Sequence, residues 1–121
     1  MTTINTSTTV LNDYTVEDLQ TLKAAALQHA RDAAEASIEA NGEMGYCGFA
    51  WVNIYGIKGN TKLGRALKAA GIDQDYTRAF QLWGGKLYSG QSVTIKEQAC
   101  GAARDVFKRY GFDATVGSRL D

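Results

Sequence analysis

The segment 46–55, YCGFAWVNIY, is the feature that most narrows the folds open to this chain. It is rich in aromatic and β-branched residues and is bounded by glycines, which is typical of a long strand. Because side chains alternate along a strand, the segment has two different faces. The face with small and aliphatic residues carries Gly48, Ala50, Val52 and Ile54. The other, mainly aromatic face carries Cys47, Phe49, Trp51, Asn53 and Tyr55. The small and aliphatic face suits close packing of helices, so the aromatic face needs a cover of its own.

Helix and strand patterns alternate along the rest of the chain. Thr15 and Asp18 form a capping-box pattern, and the apolar spacing that follows predicts an amphipathic helix ending at Asn41 and Gly42. Further helices are predicted over 61–70 and from Thr94 to about Tyr110, with strands over 76–83 and 112–116. The predicted fold is α/β or α+β in the order α-β-α-β-α-β, with a three-stranded sheet and helices mainly on one face. If the strands are parallel, each helix is a crossover that covers one face of the sheet, and the pattern leaves an antiparallel arrangement open as well.

Length and composition indicate one domain. A chain of 121 residues can bury a single core, and its 45% hydrophobic and 21% charged residues are ordinary for a globular protein. We expect a flexible polar tail over 1–12 and a single domain over 13–121. The tail has no basic stretch before an apolar one, and no apolar run is long enough to span a bilayer, so we expect neither export nor a membrane partner.

The chain lacks the residue patterns of common catalytic and metal sites. Its single histidine, His29, falls inside the first helix, and Cys47 and Cys100 have no metal-type spacing. The acidic residues form no pair suited to acid-base work. We therefore predict a non-enzymatic protein without a cofactor or metal, with two reduced and partly buried thiols.

Charge is divided unevenly along the chain. Residues 1–46 hold seven acidic and two basic side chains, a balance of −5, and the remainder carries +5. Such a division favours either a basic face for a phosphate-bearing partner or pairing of the halves within and between copies. Solvated helix faces of opposite sign explain it equally well.

Two glycine-rich stretches between a strand and a helix are the candidate sites. In the first, residues 56–65, glycines and lysines precede a helix start, where free N–H groups and the helix dipole favour an anion. It matches no Walker A pattern, and a simple βα turn capped by Asn60 or Thr61 explains it as well. The second stretch, 84–96, offers hydroxyl, amide and lysine donors without a carboxylate. In a parallel sheet both would leave from the same edge and line one pocket.

The aromatic face of the first strand, joined by Trp83, is a third candidate. Core packing, an interface between copies, and stacking of a base or sugar are its three explanations.

From 46 to 121 the chain resembles a group of small proteins of tailed bacteriophages. The resemblance is carried by CGFAWV at 47–52, the glycine-rich basic turn, the loop with Gln91 and the terminal GSRLD at 117–121. It implies a viral protein expressed in the host bacterial cytoplasm, and no assigned reaction comes with it. Such an accessory protein would bind a component of the host, including nucleotide signals of host defence.

Three functional hypotheses follow. The first is an accessory module that binds a phosphate-bearing small ligand such as a nucleotide, with a counter-defence role. The second is a homo-oligomeric protein-interaction module that inhibits a host protein or serves the virion. The third, nucleic-acid binding, ranks last because the net charge is zero. The predicted ligand-binding residues are Asn53, Tyr55, Lys58, Asn60, Lys62, Arg65, Ser89, Gln91, Ser92 and Arg119, and the predicted interface residues are Phe49, Trp51 and Trp83.

Overall fold

The computed structural model describes residues 13–42, 46–74, 79–83 and 92–120, and shows a mixed α+β domain. The predicted tail over 1–12 and most of the second glycine-rich stretch lie outside the described residues. The elements, in chain order, are α1 (Val16–Asn41), β1 (Gly48–Tyr55), α2 (Lys62–Ala69), β2 (Asp73–Gln74), β3 (Phe80–Trp83), α3 (Val93–Arg109) and β4 (Asp113–Leu120).

The described strands form one antiparallel sheet in the order β2-β3-β1-β4. Setting α1 aside, the order β1-α2-β2-β3-α3-β4 is a split βαβ arrangement. The predicted three-stranded sheet is therefore wrong in one respect, because β2 is a fourth strand. β4 also continues past the predicted end at Val116, since it pairs with β1 as far as Leu120 opposite Gly48.

The first helix begins and ends as its sequence predicts. The Asp18 N–H donates to the Thr15 hydroxyl (3.1 Å) and the Thr15 N–H to the Asp18 carboxylate (2.9 Å), which completes the capping box. At the other end Gly42 has a φ of 73°, a value that glycine adopts without a steric penalty. α1 then packs on the other helices, and its Lys23 ammonium donates to the Gly71 carbonyl (3.2 Å) after α2.

The two faces of β1 have opposite environments, as the alternation predicts. Ala50, Val52 and Ile54 are buried in a core that also contains Phe80 from β3 and Phe107 from α3. The helices cover this face. The opposite face, which we call the open sheet face, carries the aromatic residues of β1, and of these Phe49 is 37% and Tyr55 43% exposed. Of the three explanations for the aromatic face, core packing therefore does not hold.

The two cysteines differ in environment, which corrects the expectation that both are partly buried. Cys47 is exposed before β1, whereas Cys100 has no exposed surface in the centre of α3. Burial away from water, reinforced by the charge of Glu97, raises the pKa of the Cys100 thiol to about 12.

We expect a thiol reagent such as Ellman's reagent to modify one cysteine of the native protein at pH 8. Only the thiolate reacts, and at that pH a pKa of about 12 leaves on the order of one Cys100 thiol in ten thousand ionised. Denaturant should release the second thiol. A Cys47→Ser variant should then show no rapid reaction, and rapid reaction of that variant would contradict the burial of Cys100.

Candidate functional site

A cleft of about 840 Å³ lies where β1 turns into α2, within the first glycine-rich stretch. Its lining residues are Gly56, Ile57, Lys58, Gly59, Asn60, Lys68 and Gln74. We call it the basic cleft, because its described lining residues include two lysines and no carboxylate. Asp73, the described acidic residue next to Gln74, pairs with Gln81 on the open sheet face, so its side chain projects away from the helix side, where Gln74 pairs with Phe80.

The turn that forms this cleft is held by hydrogen bonds between the Thr61 hydroxyl and backbone groups on either side of it. The Thr61 hydroxyl donates to the Lys58 carbonyl (2.6 Å) and accepts from the Gly64 N–H (3.1 Å), so Thr61 is the N-cap of α2. A side chain at Gly64 would collide with the Lys58 carbonyl and with Gly59. Gly64 therefore allows the helix to lie directly against the turn.

Basic side chains of α2 reach back over the turn. The Arg65 guanidinium donates to the Asn60 carbonyl (2.7 Å), and the Lys68 ammonium lies 3.4 Å from the Gly59 carbonyl. Lys58 is exposed and takes part in no ion pair among the described residues. Two ammonium groups therefore stand at the cleft with weak or no internal partners, and this arrangement favours an anionic ligand.

The structure brings some of the predicted ligand residues together at this cleft. Lys58 and Asn60 line it, while Lys62 and Arg65 are exposed on α2 beside it without lining it. Sequence reasoning missed Lys68, although its position seven residues after Thr61 puts it on the same side of the helix. It also missed Gln74, because β2 carries no strand pattern.

The described part of the second glycine-rich stretch, from Ser92 onward, lies at the other end of the sheet. Ser92 forms a bridge with Cys47, just before β1 begins, whereas the basic cleft follows the end of β1. The length of β1 places these ends about 23 Å apart. Ser92 is buried as the N-cap of α3, Arg119 lies opposite Phe49, and Ser89 and Gln91 are outside the described residues. The predicted single pocket required parallel strands, and the antiparallel sheet instead separates Ser92 from the basic cleft.

The open sheet face carries a pair of tryptophans whose rings are in contact. Trp51 and Trp83 are cross-strand neighbours with ring centroids 4.9 Å apart, and Trp83 is 41% exposed. On β4 the position opposite Trp51 is Gly117, where a Cβ would collide with the indole. Glycine at this position therefore lets the Trp51 ring lie over β4.

Polar groups continue from the tryptophan pair along the same face. The Trp83 indole N–H donates to the Gln81 side-chain oxygen Oε1 (3.1 Å), and the Gln81 side-chain amide donates to the Asn53 side-chain oxygen Oδ1 (3.0 Å). These two hydrogen bonds orient the Gln81 amide and the Trp83 ring. The last acceptor in the series is Asn53, one of the predicted ligand residues. The face thus combines flat apolar rings with oriented amide groups.

Two cations flank the Phe49 ring at the start of β1. The Lys96 ammonium lies 5.3 Å and the Arg119 guanidinium carbon 5.2 Å from the ring centroid. Lys96 is almost fully buried and donates to the Gly48 carbonyl (2.8 Å). Lys96 therefore has a structural role, whereas Arg119 remains exposed at the edge of the face.

Comparison with known proteins gives no family or function for this arrangement. No protein family, no curated protein and no solved structure matches the chain. Within the described residues no three histidine, cysteine or acidic side chains come close enough to hold a metal ion, and no described helix is long and apolar enough to cross a membrane.

Proposed function

We propose that this chain is a non-enzymatic module that binds a phosphate-bearing small ligand, such as a nucleotide, in the basic cleft. One observation carries the proposal: Lys58 and Lys68 both line the cleft, and none of its described lining residues is acidic. A cleft of about 840 Å³ is within the size range of small-molecule sites, which suits a small anion more than a protein surface.

Binding would use the two lysine ammonium groups, which the free protein leaves weakly engaged. Lys58 would reach a phosphate directly, and Lys68 would exchange its long contact with the Gly59 carbonyl for a shorter, charge-assisted one. The Asn60 and Gln74 side chains supply amide groups at the rim. Arg65 would remain on the Asn60 carbonyl and keep the turn in place. Most of the site therefore exists before the ligand arrives, which limits the entropy lost on binding.

The biological setting is part of the proposal. If the resemblance to proteins of tailed bacteriophages holds, a module of this kind would act in the infected cell. There it would bind a nucleotide signal of host defence and so lower the concentration of the free signal.

The proposal predicts that a mono-, di- or cyclic nucleotide raises the melting temperature of the protein. At a ligand concentration one hundred times the dissociation constant, binding adds about 2.7 kcal/mol to the free energy of unfolding. For a domain of this size that corresponds to a shift of roughly 10 °C. Differential scanning fluorimetry with a panel of nucleotides and with inorganic pyrophosphate measures it.

A Lys58→Ala/Lys68→Ala double variant should lose most of that shift. Lys108→Ala, which removes an exposed lysine in the last turn of α3, is the matched control and should retain it. Because the attraction is electrostatic, the shift should also fall as salt is raised from 50 to 500 mM. Absence of stabilisation by every compound at millimolar concentration would contradict the proposal.

The open sheet face favours a second candidate function, a protein-interaction module. Phe49, Tyr55 and Trp83 are exposed beside half-buried Trp51, and aromatic residues are enriched at the centres of protein interfaces. The partner would be a host or virion protein, or another copy of the chain.

Tryptophan emission tests the self-association form of this second candidate, because both tryptophans of the chain lie on the open sheet face. Burial against another copy should move the emission maximum to shorter wavelength as protein concentration rises, in low and in high salt. Trp83→Ser should abolish the change, and Tyr46→Ser, which removes an exposed aromatic ring outside the named strands, should not. An emission maximum independent of concentration would exclude burial of this face between copies.

A further inference from the structure

The outer edge of β4 is the largest unused backbone surface of the sheet. β4 is an edge strand of eight residues, and its register with β1 runs without interruption from Asp113 to Leu120. No described hydrogen bond reaches its outer backbone groups. Natural edge strands are usually protected by proline, a bulge, inward-pointing charges or short length. β4 has no proline and no bulge, and its two charged residues stand near its ends.

We infer that the β4 edge pairs with the β4 edge of a second copy of this chain, in antiparallel orientation about a two-fold axis at Val116. The charge pattern of the strand selects both the partner and the register. With Val116 opposite the Val116 of the other copy, Asp113 of each chain comes opposite Arg119 of the other, on the same face. A shift by two residues in either direction removes both opposite-charge pairs. The resulting eight-stranded sheet would satisfy the outer backbone groups.

Both charged residues are free to make these contacts. Asp113 and Arg119 are exposed, and neither takes part in an ion pair among the described residues. Arg119 is held over the Phe49 ring by the cation–π contact, which limits the freedom of its side chain before a partner arrives. Its guanidinium is thus positioned on the face where the Asp113 of a second copy would lie.

The helix beside this edge supplies an independent observation. Gly101 stands in the middle of α3, where glycine costs about 1 kcal/mol relative to alanine. Within the chain a Cβ there would meet only the Arg104 side chain, at 3.8 Å, so no described contact requires glycine. Gly101 lines a groove of about 480 Å³ with Glu97 and Val116, next to the proposed axis. A second α3 approaching antiparallel across this groove would need a small residue at that position.

Charge exchange across the strand tests the inference. By sedimentation equilibrium, Asp113→Lys and Arg119→Asp should each weaken the dimer about tenfold or more, because each replaces two attractive pairs with two repulsive ones. The double variant, which restores opposite charges in the same register, should recover most of the affinity. Lys108→Glu is the control for an unrelated change of charge. A dimer unaffected by the single changes, or a wild-type chain that stays monomeric at millimolar concentration, would overturn the inference.

Disulfide trapping tests the register itself. In a Cys47→Ser background, Val116→Cys places two thiols opposite each other across the axis, within the Cα separation that a disulfide allows. Thr115→Cys is the matched control, because Thr115 would face Gly117 of the other copy and lie more than about 7 Å from its own counterpart. Mild oxidation should produce a covalent dimer of the first variant and much less of the second. Equal trapping of both, or of neither, would contradict this register. Since the basic cleft lies elsewhere, failure here leaves nucleotide binding untouched.

Discussion

Uninterrupted antiparallel pairing of β1 with β4 is the constraint on which the rest of the structure depends. Because the register runs from Gly48 to Tyr55 without a bulge, every second side chain of β1 lies under the helices and the others lie on the open sheet face. A slip of one residue would bury Trp51 and expose Val52. The same pairing directs the end of β1 toward α2 and its beginning toward α3, so it also determines where the loops can meet.

The local features of the fold could be predicted from the sequence because each depends on neighbouring residues. The Thr15 cap, the Gly42 terminus and the two faces of β1 are of this kind. β2 could not, since Asp73 and Gln74 form a strand only by pairing with β3. The extension of β4 over residues 117–120 has the same cause: its partner on β1, and not its own β propensity, keeps it extended. Strand direction, too, is a property of the whole sheet.

The candidate site likewise combines residues that the sequence predicts with residues whose position depends on the whole sheet. Lys58 and Asn60 belong to the turn itself, and both line the cleft. Gln74 joins them only through β2, and the separation of Ser92 and Arg119 from the cleft follows from antiparallel strands. The turn capped by Thr61 and packed on Gly64 is an ordinary βα turn, and it places Lys58 in a cleft whose described lining contains no acid.

The central claim is that β1 separates a basic cleft at one end of the sheet from an aromatic surface on its open face. The most direct measurement is a ¹H–¹⁵N correlation spectrum recorded during titration with a nucleoside diphosphate. The account predicts that the Gly56, Gly59 and Lys68 amide signals shift together in a saturable way while the Trp51 and Trp83 indole signals stay in place. Shifts of the indole signals without movement of the turn amides would contradict it.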